Sequence, residues 1–184
     1  MYIDILKKIV NNYDYYRDIA VNLEFAEFNS RYYEWFKNHH VGIYVTVCDF
    51  PEGYVKNNFE QAYVQSVLCS MAYYEEWKQN FWEVPYSKRL EYMTQDKGIY
   101  EQYITYDELR MKSVTEDYLI QQIKLYTEDN DISENEINSI IPYLTEAENI
   151  EIGSCDFIDY FIDHTFVSIK DNSIMIIECG IWGS

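Results

Sequence analysis

Basic residues are the scarce ingredient of this 184-residue chain: 14 Lys plus Arg stand against 32 Asp plus Glu, a formal net charge of −18. Nucleic-acid phosphate and anionic lipid are bound by basic surfaces that displace counterions, and this composition repels both. The cations present are scattered, with Lys7-Lys8 and Lys88-Arg89 the only adjacent pairs. Direct binding to DNA, RNA or a membrane surface is therefore not expected. The reverse relation stays open, because an acidic protein attracts a basic one or imitates a phosphate backbone.

Other shortages narrow the class further. Six Gly and three Pro exclude collagen-like and linker-dominated architectures. No apolar run approaches the ~18 residues of a membrane span. The stretch from Met1 to Asn12 is broken by charge every few positions, so it holds no apolar core of a signal peptide. The four cysteines, Cys48, Cys69, Cys155 and Cys179, lie far apart and form no C-x-x-C pair. Without a secretory signal they read as reduced thiols of a cytoplasmic protein. G-x-S-x-G, G-x-G-x-x-G, the P-loop pattern and H-E-x-x-H are all missing.

What the chain does have is apolar and aromatic mass. Hydrophobic residues make up 48% and aromatics 18%, which excludes disorder and supplies a core for one domain. Between residues 2 and 24, Leu6, Ile9, Val10, Tyr13, Ala20 and Leu23 recur at helical spacing. A short helix is expected over Tyr32–Lys37. Val41–Cys48 alternates and is β-branched, so it reads as a strand with Ile43, Val45 and Val47 on one face. Asn57 and Glu60 have the spacing of a capping box before a stripe of Phe59, Tyr63, Val67, Ser70, Tyr74, Trp77 and Phe81. That stripe predicts one long core helix over 57–83, with a dimer seam as the alternative. Leu119, Ile123 and Tyr126 mark another helix, and Ser133–Glu136 caps a short one that Pro142 stops. Ile150–Ile152 suggests a short strand. Phe166–Lys170 and Ser173–Cys179 form a hairpin around Asp171-Asn172, with Asn suited to a left-handed turn position. The fold class expected is α+β: a single domain over 1–184, with N-terminal and central amphipathic helices on a small antiparallel sheet completed by a C-terminal hairpin.

Chemistry-bearing clusters are few. On a helix, Asp156, Asp159 and Asp163 would share a face near His164 and could hold a divalent cation, as in a small metal-dependent enzyme. The same residues serve equally as the solvated side of an aromatic segment. Cys155 and His164 could in principle act as thiol and base, although no recognised signature surrounds Cys155. His39 and His40 are adjacent, a spacing that makes their side chains diverge. A calcium loop starting at Asp129 fails, with Glu134 at the glycine position and Ile140 at the bidentate position. No catalytic residue, cofactor or metal is assigned.

Charge asymmetry is the strongest functional signal. Residues 121–184 hold thirteen acids and only Lys124 and Lys170 as bases, so −11 of the −18 lies there. Twenty tyrosines, several in adjacent pairs such as Tyr15-Tyr16 and Tyr32-Tyr33, cannot all enter one core seam. The expectation is a non-catalytic acidic binding protein, an immunity protein that neutralises a basic toxin such as a nuclease by electrostatic docking and occlusion. Candidate partner-binding residues are Asp129, Asp131, Glu134, Glu136, Glu148, Glu151, Asp156 and Asp159, with surface Tyr as anchors. A nucleic-acid mimic directed at defence or restriction proteins is the alternative in the same class.

Overall fold

The computed structural model describes residues 1–24, 26–36, 41–74, 111–127, 134–156 and 160–182. Its centre is a six-stranded antiparallel sheet of β1 (Asn29–Phe36), β2 (Val41–Asp49), β3 (Lys112–Val114), β4 (Glu148–Asp156), β5 (Tyr160–Ile169) and β6 (Ser173–Trp182). The order across the sheet is β1-β2-β6-β5-β4-β3. The β2–β6 pairing, from Val41↔Ile181 to Asp49↔Ser173, welds the N-terminal strands to the C-terminal hairpin. An α+β architecture is thus established, on a broader sheet than "small" suggests.

Both sheet faces are apolar because both are covered. On one face Cys48, Ile150, Ile152, Val167, Ile174 and Ile176 meet α1 (Tyr2–Val10), α2 (Tyr13–Val21), α3 (Tyr54–Asn57) and α4 (Phe59–Tyr74). On the other, Ile43, Val45, Val47, Phe166, Met175 and Ile177 meet α5 (Glu116–Thr127) and α6 (Glu134–Leu144). Ile43, Val45 and Val47 share a face as expected. Strand β6 reads as an almost unbroken apolar run, the pattern of a strand buried on two sides.

Local differences from the sequence reading have physical causes. The 2–24 helix is two helices, because Asn12 adopts extended backbone and its side chain caps α2 by accepting from the Tyr15 amide at 3.0 Å. The segment expected as a helix at Tyr32–Lys37 is strand β1 through Phe36. Tyr33 and Trp35 enter the α5–α6 core while Tyr32 stacks on Tyr44 across the sheet, a period of two. Asn57 closes α3 and does not cap α4; Glu60 instead accepts from the Tyr15 hydroxyl. Helix α4 is buried all round from Ala62 to Ser70, so its expected stripe is one side of an encased helix. Trp77 and Phe81 lie outside the described residues, as does Ser133 of the second capping box.

Pro142 does not stop α6, which continues to Leu144. Lys170 Nζ donates to the carbonyls of Pro142 (3.0 Å) and Thr145 (2.8 Å), serving the orphan carbonyls at the helix end. The hairpin turn falls at Asp171-Asn172, closed by the Lys170 amide on Ser173 O at 3.0 Å. Asn172 is not left-handed; among the described non-glycine residues only Glu146 has positive φ. Cys48, Cys69 and Cys179 are buried free thiols. The Cys69 neighbour, then burial, push the Cys48 thiol up. No helix among the described residues is long and apolar enough to cross a membrane.

Candidate functional site

The two helical layers differ in charge. Helices α1 to α4 carry four acids (Asp4, Asp14, Asp18, Glu60) and four bases (Lys7, Lys8, Arg17, Lys56). Helices α5 and α6 carry Glu116, Asp117, Glu134 and Glu136 against Lys124 alone. Thr145, just beyond α6, donates to Glu116 at the start of α5 at 3.1 Å, so the helices run antiparallel. Their acidic first turns therefore sit at opposite ends of the layer. A carboxylate in a first turn is favoured by the helix dipole, which accounts locally for each placement. It does not account for the near absence of cations: residues 116–146 hold eight acids and one base.

The eight expected docking carboxylates do not form one described patch. Glu134 and Glu136 are exposed on α6. Asp129, Asp131 and Asp159 lie outside the described residues, and Asp156 closes β4 opposite Phe161. Glu148 is structural: its Oε1 accepts from the Met1 ammonium (3.1 Å) and the amides of Tyr2 (3.0 Å) and Ile3 (3.3 Å), capping α1 across the chain.

Glu151 faces inward. One carboxylate oxygen meets His164 Nδ1 at 2.8 Å, and the other meets Lys112 Nζ at 3.2 Å and accepts from Tyr118 Oη at 3.2 Å. Burial alone would push this carboxyl up; the hydrogen bonds from His164 and Lys112 hold it below its ordinary value. The same contacts hold Lys112 above its own. The His164 ring stacks on Phe166 (6.0 Å) and meets Tyr126 edge-on (6.1 Å). Glu151 thereby ties edge strand β3, helix α5 and strand β5 to β4. The helix assumed for 156–163 is absent where described: Asp156 ends one strand and Asp163 lies in the next. Among the described residues, no group of three or more His, Cys, Asp and Glu is placed to hold a metal.

The sequence reading missed Glu178. It is buried in β6 on the α4 side, in a cross-strand row of Glu34, Tyr44, Glu178, Thr165 and Gly153. Ser70 Oγ donates to it at 3.3 Å, and Thr46 Oγ1 donates to Ser70 at 3.1 Å. No described cation faces it, so burial raises its pKa to about 8 despite the Ser70 hydrogen bond. Thr165 Oγ1 beside it is buried without a partner. A lone Glu in the run Ile174–Cys179 was the available signal.

No protein-family model matches the chain, and neither a curated protein nor a solved structure matches it.

Proposed function

We propose that this chain is a non-catalytic acidic binding protein of the immunity type, which neutralises a basic toxin such as a nuclease by docking it and covering its phosphate-binding cleft. The observation that carries this reading is the contrast between a charge-balanced α1–α4 layer and an anionic α5–α6 layer on the same sheet. A cationic protein approaching this molecule is steered to one side of it. Asp117, Glu134 and Glu136 are exposed there, and Asp129 and Asp131 fall in the sequence joining the two helices. Only two bases of the C-terminal third stand against them, Lys124 on α5 and Lys170 at the α6 carbonyls. Half-buried Tyr126 and Tyr143 on the same helices supply contact area of the kind that anchors interfaces.

The reading is tested by capture on immobilised protein, washed at rising salt. A single basic protein held near stoichiometrically and released by salt supports a dedicated inhibitor. Retention of many DNA-binding proteins together favours the nucleic-acid mimic instead. Undiminished binding after charge reversal at Asp117, Glu134 and Glu136 refutes docking on this face.

A further inference from the structure

We propose that the groove between the α2–β1 segment and the β2–α3 turn binds a small organic cation with a flat or apolar body, of the amidinium or quaternary ammonium class. The groove has a volume of about 780 Å³; Phe28, Phe50 and Pro51 form its apolar wall, and Glu27, Asn29, Asp49 and Gln65 are its polar members. That volume falls in the range of a small-molecule site, and the apolar wall is faced by at least as many polar residues.

The wall is aromatic and built in depth. Phe28 stacks on Phe50 with centroids 5.5 Å apart and planes 17° apart, and Phe50 stacks on Tyr54 at 5.4 Å and 14°. Aromatic faces carry negative charge density and attract cations, most strongly those that shed water easily. The frame is held before any ligand arrives. Gln65 Nε2 donates to Ala26 O at 3.1 Å, the Phe50 amide donates to Asn172 O at 2.8 Å, and Gly53 takes the left-handed turn (φ 72°) that α3 starts from.

The polar members select the sign of charge. Asp49 Oδ2 is matched by Arg31 at 2.6 Å and accepts from the Tyr143 hydroxyl at 3.3 Å. Glu27 is exposed and forms no ion pair with a described residue, so it is the uncompensated charge of the groove. A neutral ligand gains only the aromatic wall here, a cation gains both, and an anion is repelled. The groove opens on the α1–α4 side; its link to α6 is Asp49, which accepts from Tyr143, so Glu27 and Phe28 are the residues that test it apart from docking on α5–α6.

Amide chemical-shift titrations of the full chain with benzamidinium, benzamide and benzoate test this directly. Benzamidinium is expected to move the amides of Ala26, Phe28 and Gln65 and to bind about tenfold tighter than benzamide, with benzoate inert. Glu27→Gln, at an exposed position, is expected to weaken benzamidinium about fivefold and leave benzamide unchanged; Phe28→Ala weakens both. Equal affinity for benzamidinium and benzamide, or an unchanged benzamidinium affinity in Glu27→Gln, overturns the proposal. So does a groove that responds to an arginine-containing peptide but to none of the three small probes.

Discussion

Glu178 gives the account its sharpest energetic consequence. Its carboxyl is buried between α4 and the sheet with one hydroxyl donor and no described cation, and its pKa rises from 4.5 to about 8. In the unfolded chain the group ionises at its ordinary value, so between those two pH values the folded protein holds a proton that the unfolded chain has released. Folding stability from this residue is complete below about pH 4.5 and is lost as pH rises through about 8. The slope is about 1.4 kcal/mol per pH unit, which amounts to about 3 kcal/mol lost by pH 7. Glu178→Gln keeps the shape and the acceptor for Ser70 and has no proton to lose. Urea unfolding of both proteins from pH 5 to 9 should show the variant gaining on wild type across pH 5–8, then running parallel above. Comparing the two curves cancels every other titrating group, including Glu151, whose slope has the opposite sign. Parallel curves from pH 5 to 8 would show that Glu178 is ionised and paired in the native state, and the reasoning would fail.

Further perturbations follow from single contacts. Thr165→Val removes an unpartnered buried hydroxyl at constant shape and should be neutral or stabilising by up to about 1 kcal/mol in the same urea assay. Glu148→Ala exposes the first amides of α1 and should cost about 1 kcal/mol, with hydrogen exchange accelerated at Tyr2 and Ile3 first. Lys170→Met uncovers the α6 carbonyls and should cost roughly 0.5–1 kcal/mol, read as a lower urea midpoint. Glu151→Gln leaves Lys112 and His164 without their carboxylate; it should cost about 2–3 kcal/mol at pH 7. That difference shrinks as pH falls through the lowered Glu151 value, because wild type then loses its charge too.

The elements that could be read from sequence were those whose own residues decide them. Val41–Cys48 and the Leu119–Ile123 helix face carry strong periodicity, the 173–179 strand is an almost unbroken apolar run, and the apolar residues described in them, from Ile43 on, went to the core. Elements decided by distant partners could not be read. Tyr32 and its neighbours are a strand because β2 offers them an edge, and no local pattern announces an edge. The same distinction separates the acids. Glu134 and Glu136 look the same as Glu148 and Glu151 in the sequence, yet two are exposed and two are held by α1 amides or by Lys112 and His164. Charge totals were legible; which carboxylates the fold consumes depended on strand register and on where α1 begins.

The central claim is that one face does the binding, beyond what net charge alone achieves. Two variants with equal change in net charge separate these: Asp117→Lys/Glu134→Lys/Glu136→Lys on α5–α6, and Asp4→Lys/Asp14→Lys/Asp18→Lys on α1–α2, all at exposed positions. Each is immobilised beside wild type and offered the same source lysate, and bound cationic protein is quantified across a salt gradient. The account predicts that the α1–α2 variant retains the partner with wild-type salt resistance while the α5–α6 variant loses it by at least about tenfold. Equal losses in the two variants, or none in either, would contradict it.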